Sequence, residues 1–186
     1  MKRFLLFLVV MATTVLAGCD KGDDGNSTPN PPTDEPTLEG YIEPYMKWGA
    51  TRQEVKKAVP YELITDSQSG LTYKGVGIVS AYIYTFTGPE DNSLGGSTAM
   101  VDGKHVEELT DFIYDKYTFL YADESTYSIF FTNKDKSLMV VLMITGSDLM
   151  VMYMANTTNT ALINKVPNQS SRASSSEMYY KILQNC

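Results

Sequence analysis

Few residues in this chain are equipped for chemistry. His105 is its one histidine, so any Ser-His-Asp or Cys-His centre would have to be built on it. It falls at a helix start beside Lys104 and Glu107, which reads as a surface position. Zinc needs three or four Cys, His or carboxylate ligands, and none are spaced for it. Glu107, Asp111 and Asp115 are four apart and share one helix face. They could hold a cation weakly or act as paired acids, but a solvated face flanked by Lys104 and Lys116 is the reading adopted. Asp20, Asp23, Asp24 and Gly25 fail as a calcium loop, because the third position is Gly22 and the twelfth is Pro31. Gly75-Val76-Gly77-Ile78-Val79-Ser80 lacks the third glycine of a dinucleotide loop, and Gly95-Gly96-Ser97-Thr98 lacks the lysine of a phosphate loop. Both read as turns or bulges. The expectation is no catalytic residue, no metal and no cofactor. An envelope hydrolase is the alternative, and it would need two acids facing each other about 5 to 10 Å apart.

What remains is a surplus of tyrosine and methionine, 13 and 10 residues. Successive side chains of a strand point to opposite faces. Tyr82, Tyr84 and Phe86 therefore share one face of a strand, with Val79, Ala81 and Ile83 on the other. Met150, Met152 and Met154 lie opposite Leu149, Val151 and Tyr153 in the same way. One face should pack on helices. If the other is uncovered, it is an aromatic or methionine surface suited to an envelope protein or a glycan. Tyr82, Tyr84 and Phe86 are the candidate binding residues. A core on both sides, or scattered exposed tyrosines, is the competing reading.

The N-terminus carries an address. Lys2 and Arg3 precede an unbroken apolar run from Phe4 to Val10, as in an export signal, and the run is short for a membrane span of about 20 residues. Leu16-Ala17-Gly18-Cys19 resembles the lipobox of bacterial lipoproteins. The resemblance implies cleavage after residue 18, diacylglycerol on the Cys19 thiol and attachment to the membrane through that lipid. Two or three acyl chains hold a protein firmly where one holds it marginally. Cys186 is then left without an intrachain partner. The formal charge of −7 argues against a nucleic-acid footprint, which needs clustered Lys and Arg. It also argues against an anionic bilayer held by basic residues, so the lipid is the anchor.

Asp20–Thr37 holds four prolines and five acidic residues and no large apolar one. It cannot bury enough area to offset its ordering entropy and is expected to be a tether within residues 19–40. Acidic residues after a lipidated cysteine resemble surface-export signals of some Gram-negative lipoproteins, whereas Asp directly after the cysteine resembles an inner-membrane retention signal. The outer membrane, facing outward, is the location adopted.

Residues 41–154 form the expected domain. Thr51-Arg52-Gln53-Glu54 is a capping box, opening a helix that Pro60 stops. Trp48 is expected to cover its start. Strands are expected over 61–65, 71–74, 78–86 and 97–101. A second helix starts near Asp102 or Gly103, with Val106, Leu109, Phe112 and Ile113 on one stripe. Strands then follow over 118–121, 127–132, 137–144 and 149–154. The fold class is α+β: an antiparallel sheet with two helices packed on one face. A tandem helix-plus-four-strand repeat, 46–102 and 103–154, stands beside an unrepeated meander as an open choice. The pattern is similar to small exported α+β domains of the outer-membrane assembly accessory and β-lactamase-inhibitor-protein types. Trp48-Gly49-Ala50-Thr51 followed by Glu54-Val55 resembles the Gly-x-Ser/Thr-x-x-Glu-Val helix start of those domains. That likeness brings no functional residue with it, though it permits an inhibitor of a secreted enzyme as a further alternative. Residues 155–186 are polar and breaker-rich, and are expected to be a mobile tail.

Overall fold

The computed structural model describes residues 35–88, 92–123 and 125–156. The expected signal, the lipobox-like Leu16–Cys19, most of the expected tether, and the expected tail beyond residue 156, Cys186 included, lie outside the described residues. The elements run α1 (Arg52–Ala58), β1 (Leu63–Ser67), β2 (Gly70–Lys74), β3 (Val79–Thr87), β4 (Ser93–Asp102), α2 (Val106–Lys116), β5 (Thr118–Asp123), β6 (Ser128–Thr132), β7 (Leu138–Thr145) and β8 (Asp148–Ala155). All eight strands form one sheet in the order β1-β2-β3-β4-β8-β7-β6-β5, and every neighbouring pair is antiparallel. The α+β class and the antiparallel sheet agree with the sequence. β4 is longer than expected because Ser93–Gly96 also pairs with β3.

Local chemistry explains the helix ends. Thr51 accepts from the Glu54 N–H while the Glu54 carboxylate accepts from the Thr51 N–H, so both halves of the capping box are made. The Thr51 N–H and then the Lys47 ammonium, both donating to the carboxylate, hold the Glu54 carboxyl down at about 2. α2 begins one turn later than expected, after a 3-10 turn at Gly103–His105 capped by the Asp102 side chain. Arg52 and Lys56 reach from α1 to Asp66, tying the helix to edge strand β1. Both edge pairings carry a register shift, which bends an edge away from stray pairing.

The core is one cluster. Val55 of α1 and Leu109, Phe112 and Ile113 of α2 belong to it together with strand residues. Two cross-strand rows run through it. One is Tyr73, Tyr82, Ala99, Val151, Leu142 and Ile129; the other is Leu71, Tyr84, Ser97, Tyr153, Val140 and Phe131. β4 contributes only Ser97 and Ala99 to these rows. The small side chains leave room for the segment before α1 to cross them. The Ser97 hydroxyl donates to the Tyr45 carbonyl at 2.7 Å and the Tyr82 hydroxyl to the Ile42 carbonyl at 2.9 Å. Trp48 packs against the cluster, partly buried. The segment is pinned at its start by the Ile78 N–H, which donates to the Gly40 carbonyl at 2.9 Å. Gly77 permits this approach: a Cβ there would fall 2.0 Å from the Gly40 oxygen.

The Tyr73 hydroxyl is buried with no hydrogen-bond partner among the described residues, whereas the Tyr153 hydroxyl meets that of Tyr41 at 2.8 Å. Removing an unpaired buried hydroxyl removes a desolvation cost, and removing a paired one forfeits about 1 kcal/mol or more. Tyr73→Phe should therefore leave the urea midpoint unchanged or raise it, and Tyr153→Phe should lower it.

Candidate functional site

The tyrosine expectation meets a clear outcome. Tyr82, Tyr84 and Phe86 are 0%, 1% and 6% exposed. They are core residues, and Arg52 lies over the Phe86 ring. The predicted aromatic surface is thus turned inward, because this is the side of β3 that faces the cluster containing Val55 and Leu109. Burial pushes the Tyr84 hydroxyl up to about 12. Val79 is buried as well, because a register shift between Val79 and Ala81 breaks the alternation.

The opposite side of the sheet is the methionine side. A continuous cross-strand row runs through Thr65, Thr72, Ile83, Thr98, Met152, Val141, Phe130 and Tyr121, with one residue from each strand. On one flank lie Ala81, Met100, Met150 and Met143, and on the other Thr85, Gly96, Met154 and Met139. Six of the chain's ten methionines therefore share this face, and all six are partly exposed. Two short side chains at its centre, Thr98 and Val141, are buried between longer neighbours. Tyr121 and Phe130 stack at 4.3 Å between ring centres and close the patch toward edge strand β5. Tyr121 is 37% exposed. The central row crosses all eight strands, about 34 Å at ~4.8 Å spacing. The face is unevenly made. Its β1–β3 end carries Thr65, Thr72 and Thr85, while its β4–β8–β7 part carries the methionines.

A second cluster was not foreseen. The Glu43 carboxylate accepts from the Tyr117 hydroxyl at 2.6 Å and from Lys116 Nζ at 2.7 Å, and the Tyr153 hydroxyl lies 3.4 Å away. Tyr153 also bonds Tyr41. Glu43 thus joins the segment before α1 to the end of α2 and to β8. No sequence signal marks it, because its partners are 73 to 110 residues away. Burial raises the hydroxyl pKa of Tyr41, Tyr117 and Tyr153, and the Glu43 charge adds to this. With Lys116 holding its other oxygen, Glu43 ties these elements together.

The remaining candidates are surface groups. Glu107, Asp111 and Asp115 are exposed on α2, a solvated face as read from their spacing. His105 lies 3.5 Å from Glu108. Among the described residues, no three His, Cys, Asp or Glu side chains gather in a way that could hold a metal, and no helix is long and apolar enough to cross a membrane. No family model matches the chain, and neither the curated proteins nor the solved structures compared with it gave a match.

The tyrosine–glutamate cluster sets an alkaline limit. A tyrosine whose folded pKa is raised stabilises fully below its ordinary value of 10.0, and that stability is lost as pH rises beyond it. Glu43→Ala should cost about 2 kcal/mol at neutral pH by urea denaturation. Tyr117→Phe, which removes one of the raised hydroxyls, should lessen the decline in stability above pH 10.0.

Proposed function

We propose that this protein is a lipid-anchored lipoprotein of the cell envelope that works as a non-enzymatic binding or accessory module, recognising its partner with the methionine face of the sheet. The observation that carries this reading is the placement of six partly exposed methionines, with Ile83, Phe130 and Tyr121, on one side of a sheet whose other side is core. Methionine is flexible and polarizable and suits surfaces that adapt to a partner, and contiguous apolar patches of several hundred Å² mark interaction sites. The face lies in the sheet itself, where tyrosine and aliphatic packing behind it hold the backbone fixed. This face takes over the role first given to Tyr82, Tyr84 and Phe86.

Anchoring is supported by Leu16-Ala17-Gly18-Cys19 and by the proline-rich acidic stretch behind it. At ~3.1 Å per residue an extended proline-rich chain of this length reaches tens of Å, so the module would work at a distance from the outer membrane, facing outward. The mirrored strand order supports a duplicated helix-plus-four-strand unit, the two copies joined by β4 and β8 at the centre. Membership of both helices in the tyrosine-side cluster supports their packing on that one face. A protein or glycan of the envelope fits the surface as partner.

Two readouts test the proposal. Cys19→Ala should move the protein from the membrane fraction to the soluble fraction after a carbonate wash; unchanged retention would refute the lipid anchor. A photocrosslinking amino acid at position 152 in the anchored protein should give a defined adduct in cells, while one at position 111 on the exposed side of α2 should not. Equal labelling from both positions, or none from 152, would refute recognition by this face.

A further inference from the structure

We infer that the methionine face carries a thioether site for a soft monovalent cation of the Cu(I) type, centred on Met150 between Met100 and Met143. Met100 on β4 stands directly opposite Met150 on β8, and Met150 stands directly opposite Met143 on β7. Adjacent strands are about 4.8 Å apart, and a methionine side chain is unbranched with three rotatable bonds. Three sulfurs from consecutive strands can therefore lean toward a point above Met150 without moving the backbone. Met152 follows two residues along β8 on the same face and offers a fourth. All four side chains are partly exposed, so a cation can reach them.

Ligand softness selects the ion. Neutral thioethers favour Cu(I), whereas Mg(II) and Ca(II) require oxygen donors and Zn(II) prefers thiolate, imidazole or carboxylate. Methionine is also not among the residues that favour strands, which are the β-branched and aromatic ones. An apolar face alone could be built from Val and Leu, as much of the core side of β4, β7 and β8 is. The property that methionine adds is the sulfur.

A second observation points the same way. One step along the face from Met100 and Met150, Asp102 stands directly opposite Asp148. Like charges at opposed positions of a sheet are destabilising, and Lys104 offsets the pair from Asp102 at 3.4 Å. Two carboxylates beside a set of neutral ligands supply the negative potential that would otherwise be missing for a cation. The inference stands apart from the partner-binding reading, because a partner needs the apolar area and the ion needs the thioethers.

Ag(I) is a probe of the same softness. The full chain carrying C19S and C186S, so that no thiol competes, and labelled with ¹³C at the methionine methyls, would be titrated with silver nitrate in chloride-free buffer. The methyl signals of Met100, Met143 and Met150 should move together and saturate at a single equivalent, with that of Met46 unmoved, and Zn(II) should move none of them. Met150→Leu keeps an apolar side chain of similar volume; it should lose the saturating step while retaining the far-ultraviolet circular dichroism of the parent. If Met150→Leu does not fold, Met143→Leu is read in the same way. No movement at one equivalent, a proportional drift of every methionine over many equivalents, or an unaltered step in the leucine variant would each overturn the inference.

Discussion

The period-two alternation of side chains across an unbroken sheet is the constraint on which the rest depends. Once Tyr73, Tyr82, Tyr84 and Tyr153 are committed to the buried side, their strand neighbours must face the other way, and a slip of one residue would exchange the two sets. The methionines are partly exposed for that reason. Hydrophobic burial of about 25 cal/mol per Å² favours the large rings in the core. The flexible thioethers take the side on which no rigid fit is imposed.

The β4–β8 seam makes this constraint act over the whole molecule. Without it there would be two four-stranded sheets; with it, register is continuous from β1 to β5 through residues such as Ile83, Thr98, Met152 and Val141. The seam is also where the segment before α1 crosses the core, over Ser97 and Ala99. There Glu43 and Tyr41 fasten it to Tyr153 of β8 and to the last turn of α2. The tether of the proposed lipid anchor leads into this segment. The chain therefore meets the domain at a hydrogen-bonded part of its core.

Much of the fold was legible because it is written locally. The Thr51–Glu54 capping box and the stripe of Val106, Leu109, Phe112 and Ile113 both depend on residues near in sequence. All eight strands were found within a few residues. The site was legible in part. Alternation separated Tyr82, Tyr84 and Phe86 from Val79, Ala81 and Ile83, but it assigns faces only relative to each other. Which face is buried depends on residues tens of positions away, such as Val55 and Leu109 in the same core cluster. The methionine triplet of β8 was visible; Met100, Met139 and Met143 joined it only through pairing across strands. Glu43 was invisible for the same reason: its tyrosine partners are brought to it by the sheet.

The account turns on which side of the sheet is open, and residue-resolved chemical labelling of the purified native protein measures this most directly. Dilute hydrogen peroxide should oxidise Met100, Met139, Met143, Met150, Met152 and Met154 in the folded state, while tetranitromethane should leave Tyr82, Tyr84 and Tyr153 unmodified until denaturant is added. Nitration of Tyr82 and Tyr84 in the native protein, with those methionines protected, would contradict it.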